Sequence, residues 1–404
     1  MLKLVLALAL AAPLSAPASA AAVQAPASDH QSLVKLFADW RAFNHPTIVR
    51  GRPDYSAAAM TAKAQGLAGF KQRLAAIDTK GWSASQRGDY RLVEAEMNGL
   101  DFFLRVLRPW ARDPGFYQTI FAEMSDVPAH EGPSAEPNID LWKYQWPLSK
   151  ADDARLTEQL SAVPALLADA KTNLAGSQAH DLWAYGDRAF NEQAEALAAL
   201  QAGDLSLNDL GGRRTISLAG ASPQLRAAVA HTRTATEQFA AWIKAEAPRR
   251  AGPSGVGKDN YNWYLKHVLL SPLDFDQQQV LLQRELDRSL ASLRLEEVRN
   301  RAAPPIPELR DPAAYKRMTL ARQERMYRLL VDAGFIIDKP YYRSAIFGQL
   351  GDYTPPEKRN FFTHVTALDP LPLSSHQFHW IELARLVHEP HPSPIRDTPP
   401  LFNI

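Results

Sequence analysis

An all-α fold, a large irregular bundle of long amphipathic helices with little or no sheet, is predicted by three features of the sequence. Apolar residues recur at helical spacing over most of the chain. Pro and Gly gather between those stretches, where they end helices. Alternating strand patterns are missing outside one short segment, 215–218, which disfavours α/β folds.

The chain opens on an export signal. Lys3 supplies the positive charge, Leu4 to Ala12 a short apolar run, and Ala18-Ser19-Ala20 a small-residue cleavage site. The run falls short of the roughly 20 residues a bilayer-spanning helix needs, and Pro13 and Pro17 break it. Residues 1–20 are therefore expected to be removed, 21–30 to be a flexible linker, and 31–404 to form a single helical domain. Composition shifts near 120–150 and 248–258 mark candidate sub-domain breaks. No cysteine is present, which excludes disulfides, thiolate metal sites, cysteine nucleophiles and a lipid-anchoring cysteine after the signal. A thiol-free chain suits an oxidising compartment, so the expected location is periplasmic or secreted, with no membrane anchor.

Lys and Arg number 45 against 44 Asp and Glu, a net charge of +1. Without a basic block, neither nucleic acid nor an anionic membrane surface is an expected partner. The 46% hydrophobic and 22% charged content is that of an ordinary globular protein.

Taken in order, the first helix is expected over 32–43, with Leu33, Leu36, Phe37 and Trp40 on one face. The second covers 57–77 through Leu67, Phe70, Leu74 and Ile77. Ser83 and Gln86 have capping-box spacing and open a helix running to about Leu107 through Tyr90, Val93, Met97 and Leu100, which Pro109 and Pro114 stop. The stretch 125–147, rich in Pro, Gly and Ser, predicts a long surface connection. Helices follow over 150–174, 181–200 and 223–247, with Gly211-Gly212 preceding the one plausible strand.

Gly252 to Lys258 imitates a phosphate-binding loop, but Asp259 stands where Ser or Thr should hold magnesium, and a helix, not a strand, precedes it. A turn between helices is the simpler reading. Asp259 is expected to cap the next helix, on which Tyr261, Tyr264 and His267 share a face at spacings of three. They could bind substrate; aromatics so placed are more often core with a polar tip aimed at a partner. Pro272 ends that helix, and 275–301 forms a long amphipathic one with Leu282, Leu286, Leu290 and Leu293 on one stripe. Its Arg and Glu residues predict a salt-bridged solvent face.

GKDNYNWYLKHVLLSPLDFDQQQVLLQRELDRSLASLRLEEVRNR and WSASQRGDYRLVEAEMNGLDFFLRVLRPWARDPGFY resemble blocks of the bacterial domain-of-unknown-function 885 family. RNFFTHVTALDPLP and HWIELARLVHEPHPSPIR resemble one branch of it. The resemblance runs from about residue 82 to the end, weakly over 120–250, and implies kinship with helical zinc peptidases. Such relatives carry a His-Glu-Pro-Gly-His type motif and a later glutamate-bearing helix; the motif is absent here. The branch also continues past the residues that correspond to Pro400–Ile404, so this chain is expected to be shortened relative to it, leaving Leu401, Phe402 and Ile404 without helices to pack on.

The last stretch holds the residues that zinc chemistry would use. Ser374 or Ser375 can cap a helix to about Glu389, with His376 and His379 one turn apart on one face. Both could ligate zinc, with Glu382 a further turn along as third ligand or general base. The usual helical peptidase pattern spaces its histidines at four with a glutamate beside the first; Gln377 occupies that place. The implied activity is hydrolysis of a peptide or small amide by metal-activated water, with an incomplete site. The rival is a non-catalytic periplasmic protein that binds through an aromatic groove of Tyr261, Trp263, Tyr264 and His267; a remnant without function is a third. A serine hydrolase is unsupported, since no G-x-S-x-G elbow occurs.

Overall fold

The structure, a computed structural model, describes residues 28–122, 135–209, 212–304, 310–340, 353, 355–358 and 391–398. Its helices are α1 (Ser28–Asn44), α2 (Ala57–Ala75), α3 (Ala84–Phe102), α4 (Pro109–Arg112), α5 (Lys150–Asn173) and α6 (His180–Ala184). Then come α7 (Arg188–Ala202), α8 (Pro223–Glu246), α9 (Lys258–His267), α10 (Phe275–Arg299), α11 (Pro312–Asp332) and the four-residue α12 (Pro394–Asp397). Strands are short and paired in twos: β1 (Ile48–Val49) with β2 (Arg52–Pro53), β3 (Ile120–Phe121) with β4 (Ile139–Asp140), and β5 (Leu205–Asp209) with β6 (Gly212–Ile216). The fold is all-α, as the periodicity predicts.

Two apolar cores organise it. In the first, α1, α2 and α3 bury Leu33, Trp40, Leu67, Trp82, Val93 and Met97, and Ile395 of α12 joins them. Gly66 lets α1 approach α2, since a Cβ there would lie 2.5 Å from Cε2 of Phe43. The predicted capping box is present: Ser83 Oγ accepts from Gln86 N at 3.2 Å, and Gln86 Oε1 from Ser83 N at 2.9 Å. The second, larger core lies among α5, α7 and α8, with Leu156, Leu160, Leu197, Val229 and Phe239 inside. Phe103 and Leu104 pack against both.

Pro164 lies inside α5, where it provides no N–H for the carbonyl of Leu160. Thr232 of α8 repairs this: its hydroxyl donates to Leu160 O at 2.8 Å.

Several expectations need correction. α1 begins at Ser28, inside the stretch taken as linker. The helix expected to reach Leu107 leaves α geometry at Phe102 and continues as a π-helical turn, Phe103–Leu107. Residues 135–147 are not a surface connection: Ile139, Leu141 and Tyr144 are buried, because β4 pairs in parallel with β3 and brings its apolar side chains into the larger core. The helix expected over 181–200 is split into α6 and α7 at Gly186. The predicted strand segment shifts to β6 and pairs with β5, whose Leu205 and Leu207 alternate inward. Gly257, at φ +81°, rather than Asp259, stands at the N-cap of α9, with no side-chain cap; Asp259 falls in the first helical turn. The leucine stripe of α10 does not face the core, and Leu282, Leu286, Leu290 and Leu293 are all half exposed or more. No helix among the described residues is long and apolar enough to cross a membrane.

Candidate functional site

A concave part of the described surface lies where the β1–β2 hairpin and the start of α2 meet the C-terminal end of α5. Arg50 (φ 51°) and Gly51 (φ 78°) form the two-residue turn of the hairpin, the left-handed pair that matches strand twist. Asp54 N donates to Thr47 O at 2.8 Å, and Asp54 Oδ1 accepts from Ser56 N at 2.9 Å. Ser56 then caps α2 by accepting from Ala59 N at 3.3 Å. These local bonds hold Tyr55 between hairpin and helix.

Tyr55 is buried edge-on against Phe116 and Tyr117, at ring-centroid distances of 4.9 and 5.9 Å. Tyr117 donates its hydroxyl to Trp110 O at 2.7 Å, and Asn173 Nδ2 donates to Tyr117 Oη at 3.0 Å. Two hollows open around this group, and a third lies beyond the hairpin. One of about 620 Å³ is lined by Tyr55, Met60, Leu104, Arg108, Trp110 and Asn173. One of about 320 Å³, lined in part by Tyr55, Thr172 and Asn173 again, contains the Arg52–Asp169 ion pair, whose Nε–Oδ2 distance is 2.6 Å. A third, of about 340 Å³, lies across Arg52 and Pro53 towards Ile139 and Arg155.

Behind Tyr55 is a half-buried polar group. Tyr55 Oη donates to Glu136, and Lys63 Nζ donates to the carbonyls of Asn44 and His45 at 2.6 and 2.9 Å. Burial pushes the Glu136 carboxyl above the usual carboxylate range, against the opposing effects of Tyr55, Lys63 and His45. Burial likewise pushes the phenols of Tyr55 and Tyr117 well above the usual tyrosine range. Both therefore remain protonated at neutral pH and serve as hydrogen-bond donors. Ser56 has its oxygen engaged in the cap and Asp169 is held by Arg52, so the described lining offers donors, acceptors and apolar wall but no activated nucleophile.

The residues singled out from sequence fall elsewhere. His376, His379 and Glu382 lie outside the described residues. Among the described residues, no group of three or more His, Asp or Glu could hold a metal ion. Tyr264 is 2% exposed and packs on Phe102 at 4.9 Å. Tyr261 and His267 are half-buried on the same helix; Tyr261 Oη lies 3.5 Å from Gln278 Oε1, and the His267 ring lies 4.9 Å from that of Trp263. Trp263 is in turn stacked on Phe102 and covered by Arg105. The aromatic face of α9 thus docks this helix on α3, some of it left accessible. Tyr55, Arg108 and Asn173 were not singled out; the one hint in the sequence was the Arg-Gly-Arg-Pro turn before Tyr55.

A family model described as bacterial protein of unknown function, the domain-of-unknown-function 885 family, matches residues 50–335. The chain belongs to this family. The matched span of this DUF885 protein takes in the hairpin's turn and β2, Tyr55, Arg108 and Asn173 as well as α9 and α10. Its fold is similar to a solved structure described as "a putative lipoprotein of unknown function from Shewanella oneidensis", at a TM-score of 0.50 and 12% identity, covering 91% of this chain and 70% of that one. At that identity the likeness concerns the fold. No curated protein sequence matches the chain.

Proposed function

We propose that this DUF885 protein is an exported binding protein whose ligand is held in the cleft around Tyr55. Export is supported by the Lys3 to Ala20 signal, and the description of the Shewanella protein as a lipoprotein agrees with a place outside the cytoplasm. Binding is supported by one observation above others: two neighbouring hollows share Tyr55, Ser56, Thr172 and Asn173 in their linings. Their mixture of apolar wall and a few oriented polar groups is what small-ligand sites use.

The test is a thermal-shift screen of the mature chain against small organic acids, amides and dipeptides. A ligand at about 100 times its Kd should add roughly 2.7 kcal/mol of stability. That gain should vanish in Asn173→Leu and persist in His267→Ala. Loss in His267→Ala alone would move the site to the aromatic face of α9. The alternative, a zinc-dependent peptide or amide hydrolase, is favoured by the spacing of His376 and His379; stoichiometric zinc that is lost in His376→Ala would support it over the binding reading.

A further inference from the structure

The geometry points to Arg108 as the anchor for a carboxylate: we propose that the 620 Å³ hollow takes an amphiphilic monocarboxylate, its acid group on the Arg108 guanidinium and its apolar body against Met60, Leu104 and Trp110. This rests on the cleft being the ligand site.

Three unusual features coincide at this residue. Arg108 is a non-glycine in the left-handed region, φ 43° and ψ 51°, a conformation that L side chains adopt at a cost. It precedes Pro109, a position with further restrictions on backbone conformation. It also ends a π-helical turn, its N–H donating to Phe103 O at 2.8 Å, and such turns recur at functional sites. Strained residues of this kind persist where surrounding structure holds them, commonly at ligand clamps.

The side chain is free for such a role. Among the described residues its guanidinium has no ion pair or hydrogen bond, whereas most of the other described arginines are paired. Among the described residues that line the hollow it is the sole charged one, and none of them is a carboxylate. The first turn of α2, which opens there, has no acidic residue either, so its positive end reinforces the sign. A lone cation above an apolar wall selects a single anionic group on an apolar body, and the planar guanidinium fits a carboxylate bidentately.

Calorimetry with N-acetyl-leucyl-phenylalanine, its C-terminal amide and octanoate tests this. The free acid should bind roughly 10- to 100-fold more tightly than the amide, and octanoate binding would extend the class from peptide termini to aliphatic acids. Arg108→Gly should raise the melting temperature by relieving the left-handed strain and yet abolish the preference for acid over amide; Arg108→Lys should restore part of it. Equal binding of acid and amide, lost in Ala64→Trp but unaltered in Arg108→Gly, would overturn the carboxylate assignment and leave the cleft standing. Absence of binding by all three probes would overturn both.

Discussion

Arg396 Nε donates to Asp89 Oδ1 at 2.6 Å, joining α12 to the second turn of α3 across 307 positions of sequence. Asp89 is 1% exposed, and its other oxygen accepts from Ser393 Oγ at 2.8 Å and lies 3.0 Å from His30 Nε2. Ser393 and His30 share that carboxylate without bonding each other, so the trio is a clasp and not a nucleophilic triad. Burial pushes the Asp89 carboxyl up, but hydrogen bonds from Arg396, Ser393 and His30 and the Arg396 charge outweigh it and hold the group below the usual range. A carboxyl lowered in the folded state contributes stability above its unfolded value, near 3.9, and that contribution is lost as pH falls through the folded value. The clasp should therefore hold at neutral pH and open in acid, as pH falls through a folded value below the usual carboxylate range. Proteolysis or hydrogen exchange of residues 391–398 along a pH series reads this directly, and Asp89→Asn should open it at pH 7 at a cost on the order of 3 kcal/mol.

Glu136 has the opposite sign. Burial raises its carboxyl, so the stability it supports is complete below the unfolded value near 4.3 and is lost as pH rises through the folded value. Glu136→Gln keeps an acceptor for Tyr55 and removes the titration. The variant should match the wild type at pH 4 and exceed it at pH 8, with melting temperatures separating by a few °C, on the order expected for 1–2 kcal/mol. Melting curves that stay parallel from pH 4 to 8 would count against a raised carboxyl.

The core helices could be read from sequence because their information is local: Leu33, Trp40, Leu67 and Val93 recur at helical spacing, and Ser83 with Gln86 is a self-contained cap. Ile139 could not, because its burial depends on pairing with Ile120 of another strand. β5 was missed for the same reason, its alternation being only five residues long. The leucines of α10 show the converse, since an amphipathic pattern tells which side is apolar but not what covers it. The site was the least accessible of all. Tyr55, Arg108 and Asn173 are 53 and 65 positions apart along the chain, and nothing in their local context announces that hairpin, π-helical turn and helix end converge.

Gly186 shows how one residue breaks a helix that periodicity makes continuous. A Cβ there would lie 2.7 Å from Leu182 O and 2.7 Å from Pro114 Cγ, and neither a carbonyl nor a proline ring can move aside as a flexible side chain would. Gly186→Ala should destabilise the protein by about 1–3 kcal/mol, whereas Gly69→Ala, in α2 with open space around the built Cβ, should stabilise it by up to about 1 kcal/mol. Denaturant midpoints of the two variants should move in opposite directions; a common direction would mean that crowding at Gly186 is relieved by a shift of α6.

Thr232 offers the sharpest test of how α5 tolerates its internal proline. Its side chain is 0% exposed, and its hydroxyl meets the one carbonyl that Pro164 deprives of a helical partner. Thr232→Val keeps shape and nearly the same volume but leaves Leu160 O buried and unpaired, at a cost of about 1–3 kcal/mol. If that is the reason for the loss, Pro164→Ala should recover much of it, because a new N–H at position 164 can reach Leu160 O. The double variant is then more stable than Thr232→Val alone by more than Pro164→Ala improves the wild type. Equal gains in the two backgrounds would show that threonine and proline act independently.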